Sequence, residues 1–200
     1  MIKRHFHMAL LLAAACMSAC TGKNISGNYY QKHQASLDKI EKSYQRLSAQ
    51  QSFTLAFTDK AFDIISLEIN TDTISYIYEF HMDEARIYDT MTKYGLAPAP
   101  TLQLINDMKL VRCTWVNNFD YYVDEKKQRL IFMSVRPRGI QYPFIPTKYY
   151  LLAFFFQPQV FDDKGRLLDK KGKKRLRMIN DAVFHRINNR VCYTIGERFR

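Results

Sequence analysis

Residues 149–156 read Tyr-Tyr-Leu-Leu-Ala-Phe-Phe-Phe, eight in a row without a charge. A strand with one wet face alternates apolar with polar, and this run does not. Eight residues fall far short of the roughly 20 that a helix needs to cross a bilayer, and a lone strand cannot leave its backbone unpaired in lipid. The run therefore predicts a central strand buried on both faces. The rest of the chain must supply strands beside it and layers over it.

Other strands announce themselves by alternation. Phe53, Leu55 and Phe57 alternate with small or polar residues across Ser52 to Thr58, the period of a half-buried strand. Ile65, Leu67 and Ile69 precede Asn70-Thr71-Asp72-Thr73, and Ile74, Tyr76, Tyr78 and Phe80 follow it, which predicts an antiparallel hairpin. A strand is predicted from Leu110 to Val116. Phe119, Tyr121 and Val123 alternate up to the turn at residues 124–128, and Leu130 to Val135 returns as a second hairpin. A last short strand spans Val191 to Ile195. Tyrosine-rich strands of this kind are more often packed on a helix than left open as a groove.

Helices are predicted in four places. Tyr30, His33, Leu37, Ile40, Tyr44 and Leu47 form one stripe, predicting a helix from about Asn28, as N-cap, to Gln50. Asp83 is placed to cap a helix running to Tyr94, with Gly95 just past its end. Leu96-Ala97-Pro98-Ala99-Pro100 reads as a stiff connector, with Thr101 capping a short helix to Met108. Leu176, Ile179, Val183 and Ile187 suggest a final helix. The resulting expectation is an α+β fold: a mainly antiparallel sheet with a long N-terminal helix and a C-terminal helix packed on one face. The segments Asn28–Met82 and Thr101–Phe156 each read as a helix followed by strands.

The first 20 residues follow different rules. Lys3 and Arg4 precede an unbroken apolar run from Met8 to Met17, about 15 Å of helix against a bilayer core of about 30 Å. That is the pattern of a cleaved signal peptide. The run ends in Met17-Ser18-Ala19-Cys20, which resembles the lipobox of bacterial lipoproteins, with methionine where leucine is usual. The resemblance implies cleavage before Cys20, acylation of that residue with palmitate or a similar chain, and membrane attachment in the cell envelope. It also implies an outer-membrane anchor facing the periplasm, since no aspartate follows the cysteine. The chain then divides into a signal peptide over 1–19, a lipidated cysteine and polar tether over 20–28, and a single domain over 29–200.

Charge is unevenly spread. The chain carries 30 Lys and Arg against 19 Asp and Glu. Residues 21–163 hold 16 of each sign, whereas Lys164 to Arg200 hold 12 basic residues opposed by Asp169, Asp181 and Glu197. Lys170, Lys171, Lys173, Lys174, Arg175 and Arg177 form the densest cluster, a candidate surface for anionic lipid, lipopolysaccharide or an acidic protein, or else a solvated loop. Nucleic acid is not an expected partner of an exported protein. The loop over 136–147, with Pro137, Pro143 and Pro146, presents Arg136, Arg138, Tyr142 and Phe144, residue types that favour an interface; Phe144 can instead fold back over a sheet edge.

Candidate chemistry is sparse. No glycine-rich phosphate loop, nucleophile elbow or metal-ligand spacing is present, and no cofactor or metal is expected. His33 falls on an apolar stripe, and His81 lies beside Asp83 and Glu84. Cys113 and Cys192 can form a disulfide if their Cα atoms lie within about 7 Å, closing a loop worth about 4 kcal/mol by chain entropy; otherwise they are buried reduced thiols. The leading expectation is a lipid-anchored, non-catalytic binding or structural module. Its alternative is an envelope hydrolase or transferase using Cys113 or Cys192 with a histidine.

Overall fold

The computed structural model describes residues 2–123, 126–135, 149–169 and 175–196, with side chains from residue 25 onward save that of Val123. In chain order its elements are α1 (Ile2–Ser48), β1 (Phe53–Phe57), β2 (Ile64–Asn70), β3 (Ser75–His81), α2 (Arg86–Lys93), α3 (Pro98–Val111), β4 (Cys113–Val123), β5 (Lys126–Val135), β6 (Tyr149–Phe155), β7 (Met178–Ile179), β8 (Ala182–Val183), β9 (His185–Arg186) and β10 (Val191–Gly196). Eight strands form one antiparallel sheet in the order β3-β2-β1-β4-β5-β6-β10-β9. The fold is α+β, with helices packed against the sheet. The uncharged run is the interior strand β6, and Leu151 to Phe155 are fully buried.

The chain forms two compact units, Met1–Gln34 and Ala35–Arg200. In the first, α1 is helical from Ile2, so Asn28 lies within a helix and caps nothing. The break falls at His33, whose φ of −115° and ψ of 15° are not helical; its ring lies 4.8 Å from that of Tyr29. Among the described residues no helix is long and apolar enough to cross a membrane.

The second unit holds the whole sheet. Residues opposite one another in an antiparallel pair share a face, so the register sorts the strands. Phe53, Leu55 and Phe57 of β1 face the same way as Ile65, Leu67 and Ile69 of β2, Tyr76, Tyr78 and Phe80 of β3, and Val116, Met133 and Leu152 beyond. Against this face lie the apolar stripes of the helices: Leu37, Ile40, Tyr44 and Leu47 of α1, Ile87 and Met91 of α2, and Leu104, Ile105 and Met108 of α3, all buried. Lys39 of α1 donates to the buried Asp107 of α3 at 2.9 Å, and Tyr78 and Tyr94 join β3 to the end of α2 through their hydroxyls. A helix followed by a three-stranded meander occurs twice, as α1-β1-β2-β3 and α3-β4-β5-β6, with β1 and β4 antiparallel at the centre.

Several local expectations are corrected. The C-terminal helix over 176–187 is replaced by the hairpin β7–β8, in which Asn180 and Asp181 take φ of 49° and 59°. Two consecutive positive-φ residues make the tight turn that suits hairpins, and Asn-Asp accepts that conformation; the apolar spacing of a helix arose by coincidence. Asp83 does not cap α2, which starts after Ala85 without a side-chain cap. Instead Glu84 accepts the His81 backbone N–H. The supposed connector Pro98-Ala99-Pro100 is the first turn of α3, where proline's missing N–H costs nothing. Thr101 lies inside that helix and donates back to the Ala97 carbonyl at 2.8 Å. Leu110 is helical, and the strand begins only at Cys113, after Arg112 ends α3 in the left-handed conformation.

The central seam depends on one hydroxyl. Strands β1 and β4 pair only at Leu55↔Val116 and Ala56↔Trp115, and continuing that register would set Phe53 opposite Asn118. There the buried Tyr44 hydroxyl intervenes, donating to the Phe53 carbonyl at 2.5 Å and accepting the Asn118 N–H at 3.0 Å. Burial pushes its ionisation well above the usual phenol range. Tyr44→Phe strands one buried carbonyl and one partly buried N–H and should cost about 2–4 kcal/mol. Urea unfolding should show a lowered midpoint at unchanged slope.

Candidate functional site

The two faces of the sheet are covered differently. The face opposite the helices carries Trp115, Phe119 and Tyr121 of β4, Leu130 and Phe132 of β5, Leu151, Ala153 and Phe155 of β6, and Cys192 of β10. Leu167, Ile179 and Phe184, from the segment after β6, pack on these strands to form a second hydrophobic cluster. Among the described residues that cluster takes nothing from β1, β2 or β3. Among the described residues, half of the second face is capped and the other half forms a concavity of about 520 Å³.

Its residues follow from alternation. Positions between the apolar ones on β1 to β3 point away from the helices, and those lining the concavity are small or acidic apart from Ile77. Thr54, Glu68 and Ile77 form one cross-strand row, and Ala56, Ser66 and Glu79 the next, with Trp115 beside Ala56. Thr54, Ala56 and Ser66 make a shallow floor, Trp115 and Tyr149 stand at one side, and Ile77 is 71% exposed at the other. Glu68 and Glu79 are diagonal neighbours, about 7–8 Å apart at the backbone. Thr58 donates to Glu79 at 2.7 Å, while no cation among the described residues lies within ion-pair distance of either carboxylate. Thr54 is 6% exposed, and among the described residues its hydroxyl has no hydrogen-bond partner.

None of these residues stood out in the sequence as a site. Their signal was present: between Phe53 and Glu84 there are seven acidic residues and only Lys60 in opposition. The neutral total over residues 21–163 concealed this local imbalance.

The cysteines are free and buried. From β4 to β10 the sheet crosses β5 and β6, three strand spacings or at least about 14 Å, so Cys113 and Cys192 are too far apart for a disulfide. Burial pushes the Cys113 thiol up to about 12, against the milder effect of a hydrogen bond to Trp115, and pushes the Cys192 thiol up as well. Neither is positioned to act as a nucleophile. His185 stands opposite Tyr193, with ring centroids 5.5 Å apart, whereas Cys192 stands opposite Arg186; imidazole and thiol thus occupy opposite faces. His81 is on β3, three strands from Cys113. Among the described residues no group of three metal-ligating side chains occurs.

The basic cluster divides. Lys170, Lys171, Lys173 and Lys174 lie outside the described residues, as do the loop residues Arg136, Arg138, Tyr142 and Phe144. The side chain of Cys20 lies outside them too. Arg175 is exposed. Arg177 is a structural tie: it donates to Gln159 at 3.1 Å and Asp169 at 3.3 Å, and its guanidinium sits over the Tyr121 ring. Arg190 is another, bonding the Phe155 carbonyl at 2.8 Å and the mostly buried Glu41 at 2.6 Å.

A thiol reagent near neutral pH should leave Cys113 and Cys192 untouched in the native protein and modify both after denaturation. Rapid labelling of either in the folded state would contradict their burial. No protein-family model matches the chain, and no curated protein or solved structure matches it, so its function is read from this geometry and from the sequence.

Proposed function

We propose that the chain is a lipid-anchored, non-catalytic binding module of a bacterial cell envelope, tethered at Cys20 with its sheet domain facing the periplasm. The observation that carries the binding reading is the half-capped sheet: among the described residues, helices pack on one face, the C-terminal segment covers half of the other, and the remainder is concave and largely polar. That remainder keeps two carboxylates and the Trp115 ring within reach of one ligand. The absence of a thiol–histidine pair among the described residues removes the support for the hydrolase or transferase alternative. The anchor rests on the likeness of Met17-Ser18-Ala19-Cys20 to a lipobox, and one acyl chain alone would hold a protein only weakly, so the full lipoprotein modification is part of the proposal.

The basic C-terminal stretch is the second half of this reading. Lys170, Lys171, Lys173, Lys174 and Arg175 supply positive charge for an anionic surface component, such as lipid headgroups or lipopolysaccharide, or for an acidic protein face. Each lysine near an anionic membrane contributes about 1 kcal/mol, screened by salt.

Labelled palmitate should enter the wild-type chain in cells and be absent from Cys20→Ala, which should appear in the soluble fraction. Palmitate in the variant would remove the anchor assignment. For the charge, the unacylated Cys20→Ala protein should be retained on vesicles containing anionic lipid at low salt, released at high salt, and pass through zwitterionic vesicles. Changing Lys170, Lys171, Lys173 and Lys174 to glutamine should weaken retention by about tenfold or more; equal retention would remove the basic surface from the proposal.

A further inference from the structure

We propose that the concavity over β1, β2 and β3 takes a lysine- or arginine-bearing polypeptide segment in extended form, with a cationic side chain between Glu68 and Glu79 and against Trp115. This deepens the binding-module reading and rests on it.

The chemistry of the lining selects the ligand. Two carboxylates on one face, without a cation at ion-pair distance among the described residues, repel each other, and a bound cation removes that cost. An anion is excluded by the same charges. A metal ion is poorly served, since two carboxylates fall short of the six to eight oxygens that calcium takes. An ammonium or guanidinium suits the site better, because it can hydrogen-bond to carboxylates on both sides and lie on an aromatic face. Thr54 adds a point independent of charge. Its side chain lines the cavity and is more than nine-tenths buried, and among the described residues its hydroxyl has no partner, which is uncommon for a buried polar group.

The neighbouring edge indicates that the cation arrives on an extended chain. Strand β3 ends the sheet, and its seven residues pair with β2 in unbroken register. Sheet edges are normally guarded by lysine, proline or a bulge. Ser75-Tyr76-Ile77-Tyr78-Glu79-Phe80-His81 has none of these, and it presents Ile77 and Glu79 to solvent. Such an edge accepts an added strand, whose side chains on the concave face would lie next to Ile77 and Glu79. The acidic excess between Phe53 and Glu84 favours a basic strand over a neutral one and would raise its association rate.

The chain has a single tryptophan, Trp115, and it lines the cleft, so its emission reports occupancy when the peptide contains none. The probe is a peptide of alternating lysine and valine, seven residues to match β3, titrated into the full-length protein in detergent. We expect a saturable shift in Trp115 emission that weakens with salt. Glu68→Gln with Glu79→Gln should lower the affinity by about tenfold or more while circular dichroism and thermal unfolding stay as in wild type. Methylating the peptide's backbone nitrogens along one edge should weaken binding too, since strand pairing needs those donors. No emission change, equal binding by the double variant, equal binding of a peptide with glutamate in place of lysine, or indifference to backbone methylation would each overturn the proposal, as would self-association of the protein through β3. If the peptide fails while anionic vesicles still retain the protein, the peptide inference falls and the binding-module reading stands.

Discussion

The Tyr44 hydroxyl occupies the place where two halves of the sheet would otherwise be joined by their own backbones. Register puts Phe53 of β1 opposite Asn118 of β4, yet the carbonyl of one and the N–H of the other meet a phenol from α1. A single side chain thereby satisfies both strands at a buried position where neither group could be left unpaired cheaply. It also fixes α1 over the seam, where Leu37, Ile40 and Leu47 complete the packing. The helix-plus-meander halves meet along this line, and α1 and α3 are tied by Lys39 and Asp107. The arrangement leaves the two meanders free to be finished differently on the far face.

That difference in finishing creates the candidate site. On β4, β5, β6 and β10 the outward residues are large and apolar, and the segment after β6 covers them. On β1, β2 and β3 the residues lining the concavity are threonine, alanine, serine and glutamate with Ile77 at the rim, which offer less apolar area for another layer to bury. The cleft therefore follows from side-chain chemistry at alternate strand positions. The same alternation places Glu68 and Glu79 together on the wet face, while Leu67 and Phe80, their chain neighbours, sit in the core.

Charge gives the molecule two unlike regions. The stretch through the first three strands is acidic, and the end of the chain from Lys164 is basic. The total for the whole chain describes neither. Some of the basic residues are already committed to the fold, as Arg177 and Arg190 show by their bonds to Asp169 and Glu41. Counting charges along a sequence therefore overstates what a surface can offer to a partner.

Strand alternation at residues 53–57, 65–69 and 76–80, the stripe from Leu37 to Leu47, and the uncharged run at 149–156 were legible in the sequence because burial of one face or both imposes a period that local reading detects. From these the α+β class and the two hairpins follow. Local reading failed where two patterns coincide or where the deciding partner is remote. Leu176, Ile179, Val183 and Ile187 have helical spacing, but the two positive-φ residues between them make a hairpin, and the prolines at 98 and 100 begin a helix instead of preceding one. The cysteines could be read either as a disulfide or as buried thiols until strand order set them three strands apart. The sequence by itself determined which residues face inward and how the chain is patterned. Only the tertiary structure decided which strands are neighbours, which half of a face is capped, and that Thr54, Glu68, Glu79 and Trp115 share one concavity, because those facts depend on contacts between residues far apart in the chain.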